Sequence, residues 1–184
     1  TWDSTWESEY REVHQKAAVL YRKQPVFQLM TTGKIHQNSL LFKKEHIERL
    51  QKASRYFAYP FDPEVLKQKI ETACQDCDSN QDYRLRISLS KSGEITLSRQ
   101  VLTPLSSIFC QAKLCLQKND LEQPFTYFKT TYRPHLTIGE QERLYHNEKG
   151  ELLETSIGNL VLQITGKLYT PPIRLGILPG IYRQ

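Results

Sequence analysis

Phe125-Thr-Tyr-Phe-Lys-Thr-Thr-Tyr-Arg-Pro-His135 is the stretch on which the reading of this chain turns. Its one lysine, Lys129, stands between Tyr127 and Phe128 on one side and Thr130, Thr131 and Tyr132 on the other. Aromatic and β-branched residues favour a strand, which puts Lys129 at a strand end, partly out of water. Desolvation disfavours an ammonium, lowers its pKa and leaves a neutral amine, the nucleophile that Schiff-base chemistry with an aldehyde requires. Spacing alone favours the plainer reading, a solvated lysine capping a strand. What surrounds the stretch decides between them.

Downstream, Leu136 to Asn147 reads as a helix and Glu148-Lys-Gly150 as a turn. From Leu152 to Ile164 the only charged residue is Glu154, and a carboxylate in such a run needs a partner, because an unpaired buried charge is costly. Thr165-Gly166-Lys167 reads as a hairpin turn, and the chain closes through Thr170-Pro-Pro172 and Leu178-Pro-Gly-Ile-Tyr-Arg183.

Upstream, residues 1–24 read as a helix with acidic capping, ended by Pro25. Val26 to Ile35 reads as a hairpin turning at Thr32-Gly33-Lys34. Lys44 to Ala58 is the clearest helix, with Ile47, Leu50, Ala53, Ser54 and Phe57 on one face. On an adjoining face, His46 and Arg49 sit three apart. Either would ordinarily be a solvated helix edge, but Arg49 beside a packed face could aim a guanidinium fork at a phosphate. Asp62-Pro63 opens another helix, carrying Val65, Leu66 and Ile70. Arg84 to Ser90 alternates as a strand, turns at Ser92-Gly93 into Glu94–Leu97, and Phe109 to Leu116 alternates again. Asn119 to Pro124 reads as a linker.

The 184 residues hold 25 Lys plus Arg against 20 Asp plus Glu, a net charge of +5. The basic residues are scattered rather than gathered in a tract, so nucleic acid is not an expected partner. No run of about 18 apolar residues spans a membrane, and no basic-then-apolar leader opens the sequence; a cytosolic protein is expected. Cys74-Gln-Asp-Cys77 has zinc or redox spacing, but Cys110 and Cys115 supply no second such pair and no histidine cluster completes a site. No metal is expected, and free thiols are.

Four blocks in order resemble the fold-type IV pyridoxal-phosphate enzymes: His46-Ile-Glu-Arg-Leu50 with Ala53-Ser54, Lys129-Thr-Thr-Tyr-Arg133, Glu154-Thr-Ser-Ile-Gly-Asn159, and Thr170-Pro-Pro with Leu178-Pro-Gly-Ile-Tyr-Arg183. That group holds branched-chain and D-amino-acid aminotransferases and aminodeoxychorismate lyase, and the Lys-Thr-Thr-x-Arg form resembles the lyase. The resemblance implies an α+β, two-part fold like that of D-amino-acid aminotransferase: an N-terminal α/β domain over 25–120 and a partial C-terminal cofactor domain over 121–184. The sequence ends at Gln184, where the family continues into further strands, so a shortened C-terminal domain is expected.

The resemblance further implies pyridoxal 5'-phosphate as cofactor. Lys129 matches the Schiff-base lysine, Glu154 the acid on the pyridine nitrogen and Arg49 the phosphate-binding arginine. The backbone N–H groups of Ile181 and Tyr182 match the phosphate cradle. The implied reaction converts 4-amino-4-deoxychorismate to p-aminobenzoate and pyruvate, in a cytoplasmic homodimer serving folate synthesis. Residues 1–24, with Trp2-Asp-Ser-Thr, Glu7-Ser-Glu-Tyr10 and Lys16-Ala17, resemble the last helix of the chorismate-using component of aminodeoxychorismate synthase, followed by a linker. That implies a fused synthase–lyase. A class IV aminotransferase, or a non-catalytic dimerisation or docking module, are the alternatives.

Overall fold

The structure, a computed structural model, describes residues 5–21, 25–103, 111–117, 121–137, 139 and 141–183. After α1 (Trp6–Tyr21) the chain forms β1 (Leu29–His36), β2 (Ser39–Leu40), α2 (Lys43–Phe57), α3 (Pro63–Gln75), β3 (Tyr83–Leu89) and β4 (Ile95–Val101). The strands make an antiparallel sheet in the order β2-β1-β3-β4. Period-two alternation sends Leu85, Ile87 and Leu89 of β3 inward, while Arg84 and Arg86 face out. The inward face packs on α2 and α3 in one core with Leu29, Ile35, Leu50, Leu66 and Ile70. Each such fully buried Leu or Ile contributes roughly 1.5–3 kcal/mol. Cys74 and Cys77 are buried in that core as free thiols.

The two helices begin and end as their sequences direct. The Asp62 carboxylate caps α3, accepting from the N–H of Glu64 at 2.8 Å and of Val65 at 3.4 Å, with Pro63 in the first turn. Ala58 closes α2 in the left-handed region at φ 55, its N–H bonded to the Ser54 carbonyl.

The hairpin expected at Thr32-Gly33-Lys34 is not a turn. β1 runs straight through Gly33, and the chain reverses at Gln37-Asn38, both left-handed at φ 47 and φ 57. Gly33 is needed for clearance instead. A Cβ there would lie 2.5 Å from His46 Nε2 and 2.7 Å from Leu40 Cδ1, so only glycine lets the buried imidazole lie against the strand.

A second sheet, in the order β5-β6-β7, consists of β5 (Ala112–Leu116), parallel to β6 (Glu142–His146), with antiparallel β7 (Leu152–Thr155). β5 precedes residue 120, yet its partner is β6 and not the first sheet. β6 replaces the helix expected over 136–147, of which residues 138 and 140 lie outside the described set. Tyr145 explains the strand: its ring is buried with Leu136, Leu153 and Ile177, and its hydroxyl accepts from the Thr137 N–H at 2.8 Å. β8 (Leu162–Ile164) and β9 (Lys167–Tyr169) form a hairpin turning at Thr165-Gly166, as expected. The parts of the chain read as Trp2 to Ser4, Cys110 and the start of the 119–124 linker lie outside the described residues.

The stretch around Lys129 joins the two sheets. It adds a rung to the edge of β1 that β2 leaves open: the Met30 N–H donates to the Lys129 carbonyl, and the Thr131 N–H to the Gln28 carbonyl, each at 2.9 Å. Thr130 bridges Leu29, and the Gln28 N–H donates to Thr131 Oγ1 at 2.9 Å. The aromatic residues on the N-terminal side of Lys129 anchor it. Phe125 packs edge-on against Phe27 with centroids 5.1 Å apart, and Phe128 against Phe57 at 5.2 Å.

Candidate active site

Lys129 leaves this rung half-buried. Burial holds its ammonium down to a pKa of about 8; the positive charges of Arg49, Arg133 and Arg86 push the same way, and Glu154 opposes them. Of the two readings of this lysine, solvated cap or desolvated amine, the structure has the second.

Glu154 lies on β7, 1% exposed. Its partners are distant ones: Oε1 accepts from the Leu178 N–H at 3.4 Å, and Oε2 is 3.9 Å from Arg133 Nη2. Burial therefore dominates and raises its pKa, against the pull of Arg133, the Leu178 N–H, Lys129 and Arg183. A buried carboxylate so loosely held is suited to take a cationic N–H donor.

Arg49 projects from α2, and burial lowers its pKa to about 10. Its guanidinium donates to the Pro179 carbonyl, which fastens the helix to the chain's last described segment. The solvated helix edge is thus not where Arg49 sits, nor is it where His46 sits. The His46 ring is fully buried, with Nδ1 2.6 Å from Thr31 Oγ1, and burial takes its pKa to about 4, so it is neutral.

The C-terminal segment docks against β7 and the loop that follows it. Asn159 Nδ2 donates to the Leu178 carbonyl at 2.9 Å, and a Cβ on Gly180 would meet Asn159 Oδ1 at 1.7 Å, so glycine is required there. A short 3-10 helix, Ile181–Arg183, follows. Ile181 is buried, while the Tyr182 hydroxyl accepts from the Lys34 N–H at 3.0 Å and its ring packs on Phe42.

These elements bring Lys129, Arg49, Glu154, Ile181 and Tyr182, the five residues singled out in the sequence, to one cavity of about 240 Å³. Thr32, Asn159, Gly180 and Arg183 also line it. A second cavity, of about 480 Å³, lies on the other side of Lys129 and shares Thr32, Lys129 and Ile157 with the first. The lysine amine is thus open to both. Sequence reasoning assigned no part to Arg133, Asn159 or Arg183. Each of the three closes one of the quoted blocks, and that position was the available signal.

Residues 28–184 match the family described as amino-transferase class IV. A candidate aminodeoxychorismate lyase of Schizosaccharomyces pombe is 24% identical over 162 residues, covering 82% of this chain and 69% of that protein. Among solved structures, a candidate amino-acid aminotransferase from Mesorhizobium loti matches with a TM-score of 0.68 at 26% identity, over 85% of this chain and 80% of that one. A candidate 4-amino-4-deoxychorismate lyase from Legionella pneumophila shares the fold with a TM-score of 0.58 at 23% identity, over 85% of this chain and 66% of that one.

Proposed function

The chain belongs to the amino-transferase class IV family, whose cofactor is pyridoxal phosphate, and from that premise we propose that it is a lyase converting 4-amino-4-deoxychorismate to p-aminobenzoate and pyruvate. The cofactor has three points of attachment, an aldehyde, a ring nitrogen and a phosphate. The cavity offers a matching set in a lysine of lowered pKa, a buried carboxylate held only by long contacts, and cationic groups beside the last turn. Arg183 Nη1, a buried donor with no partner among the described residues, lines the same cavity and has a bond left to give.

In this reading Lys129 Nζ would hold the group through its aldehyde and Glu154 would partner its ring nitrogen. Arg49 and the N–H groups of Ile181 and Tyr182 would take the phosphate. When bound, the group supplies an aromatic ring that accepts the electrons of a broken C–H bond. A free, neutral Lys129 Nζ would be the group that takes the proton from the substrate ring carbon bearing the amine. Glu154 would keep a negative charge beside the nitrogen, and the buried Leu178 and Ile181 line the same cavity and limit the entry of bulk water from that side. Breaking the ether bond to the enolpyruvyl group frees pyruvate, and the aromatic ring that forms supplies the driving force.

The observation that carries the proposal is Lys129, with its lowered pKa, at the junction of two cavities, one of them shared with Glu154. The Lys129-Thr-Thr-Tyr-Arg133 form and the name of the fission-yeast relative favour the lyase. The resemblance of residues 1–24 to a synthase tail agrees with it, since fused neighbours commonly handle successive intermediates. Amino transfer is the second reading, favoured by the Mesorhizobium loti structure and its aminotransferase name. Complementation tests the proposal. A bacterial strain lacking its own lyase should grow without p-aminobenzoate when it carries this chain, and should fail with Lys129→Ala. Failure of the unaltered chain to restore growth contradicts the proposal.

A further inference from the structure

The cavity of about 480 Å³ beside Lys129 has a floor made by the sheet face turned away from the helices. Arg84 and Arg86 are two residues apart on β3, so both stand on that face. Their cross-strand neighbours are Lys34 and Gln100 for Arg84, and Thr32 and Ser98 for Arg86. Lys34 is neutralised by Asp82, at 2.6 Å. The two arginines are not. Arg84 donates to the amide oxygen of Gln100, and the partner of Arg86 is the Met30 sulfur at 4.0 Å, with no carboxylate on either among the described residues. No acidic residue lines the cavity, while Lys129 and Arg133 do. Like charges gathered on one sheet face repel one another and weaken it. A binding role accounts for that cost.

We infer that Arg84 and Arg86 form a subsite for a dianionic substrate, receiving two carboxylates of one molecule whose amine reaches Lys129. The inference rests on the lyase reading for the identity of the substrate, and deepens it by naming what recognises the substrate. The charges decide the number. Arg133 is set back in the cavity wall, half-buried with its Nη2 3.9 Å from the Glu154 carboxylate. The exposed guanidinium groups of the cavity, with no carboxylate within ion-pair distance among the described residues, are those of Arg84 and Arg86, and a planar fork pairs with a carboxylate through two parallel N–H···O bonds. The substrate proposed above carries two carboxylates, one on the ring and one on the enolpyruvyl arm. Specificity for dicarboxylates over monocarboxylates would then reside on β3, on the opposite side of Lys129 from Arg49.

Chorismate tests this without turnover, because it bears both carboxylates and has a hydroxyl in place of the reacting amine. Calorimetric titration of chorismate into the pyridoxal-phosphate-loaded protein should show binding, with p-aminobenzoate, a monocarboxylate, at least ten-fold weaker. Arg84→Gln and Arg86→Gln should each weaken chorismate about ten-fold or more, since each removes a charge-assisted pair. Lys91→Gln, an exposed charge in the β3–β4 turn, should change it less than two-fold. Both arginines are exposed and repel their like-charged neighbours, so these variants should melt at or slightly above the parent temperature. Chorismate affinity unchanged in Arg84→Gln and Arg86→Gln overturns the inference, as does an equal loss in Lys91→Gln or no binding by the parent protein. Arginine-dependent chorismate binding in a protein that makes no p-aminobenzoate would uphold the subsite and refute the lyase reading. Lyase turnover with arginine-independent binding would do the reverse.

Discussion

Lys129 should capture pyridoxal phosphate at a pH where an ordinary lysine cannot. Its amine titrates near 8, against 10.5 for a solvated side chain, because burial and three neighbouring arginines all oppose the ammonium. The sign follows directly: a lowered pKa means a neutral, nucleophilic amine at every pH above about 8. At pH 7 about a tenth of Lys129 is neutral, against about 0.03% of a solvated lysine, an advantage of roughly 300-fold. The assay adds pyridoxal phosphate and cyanoborohydride at intervals from pH 6 to 10 and follows the pyridoxyl label on tryptic peptides by mass spectrometry. A short lysine peptide in the same tube gives the profile of a solvated amine. Labelling of Lys129 should rise to a plateau with a midpoint near pH 8, while the peptide's rate is still climbing at pH 10. A Lys129 profile parallel to the peptide's, or a label that prefers another lysine, would refute the reasoning.

Three substitutions probe the rest of the site. Glu154→Gln removes the charge opposite the ring nitrogen and should cut turnover by orders of magnitude with the fold intact; because Glu154 now raises the Lys129 pKa, the labelling midpoint should also move below 8. Near-normal turnover would make Glu154 structural. Gly33→Ala puts a methyl group 2.5 Å from His46 Nε2 and should lower stability by about 1–3 kcal/mol, seen as a drop in denaturant midpoint at constant slope. Gly180→Ala meets Asn159 Oδ1 at 1.7 Å, so the last segment must shift; the expected result is weaker pyridoxal phosphate binding by fluorescence titration, with secondary structure unchanged by circular dichroism.

Local chemistry was legible in the sequence, and contacts between distant residues were not. α2 and α3 follow from apolar spacing and the Asp62-Pro63 start, because those signals act within a turn or two of helix. Gly33 misled because glycine commonly marks a turn, whereas here it clears space for an imidazole thirteen positions further on. The 136–147 region misled because the pairing of β6 with β5 and the burial of Tyr145 both depend on residues far away in sequence. At the candidate site, motif order singled out Lys129, Arg49 and Glu154, which line one cavity. The long contacts of Glu154 with Leu178 and Arg133, and the Asn159–Leu178 bond, exist only once β7 meets the C-terminal segment. Arg84 and Arg86 read simply as alternation in a strand. That their face is roofed by the Lys129 segment, with no acid in reach, needed the fold.

The most direct test of the lyase reading is product stoichiometry. Purified protein loaded with pyridoxal phosphate is given 4-amino-4-deoxychorismate with no keto acid present, and p-aminobenzoate and pyruvate are quantified together by chromatography. Equimolar p-aminobenzoate and pyruvate, produced over many turnovers and lost in Lys129→Ala, is the predicted result. A requirement for added keto acid, with its conversion to an amino acid in place of pyruvate release, would contradict the account and assign the site to amino transfer.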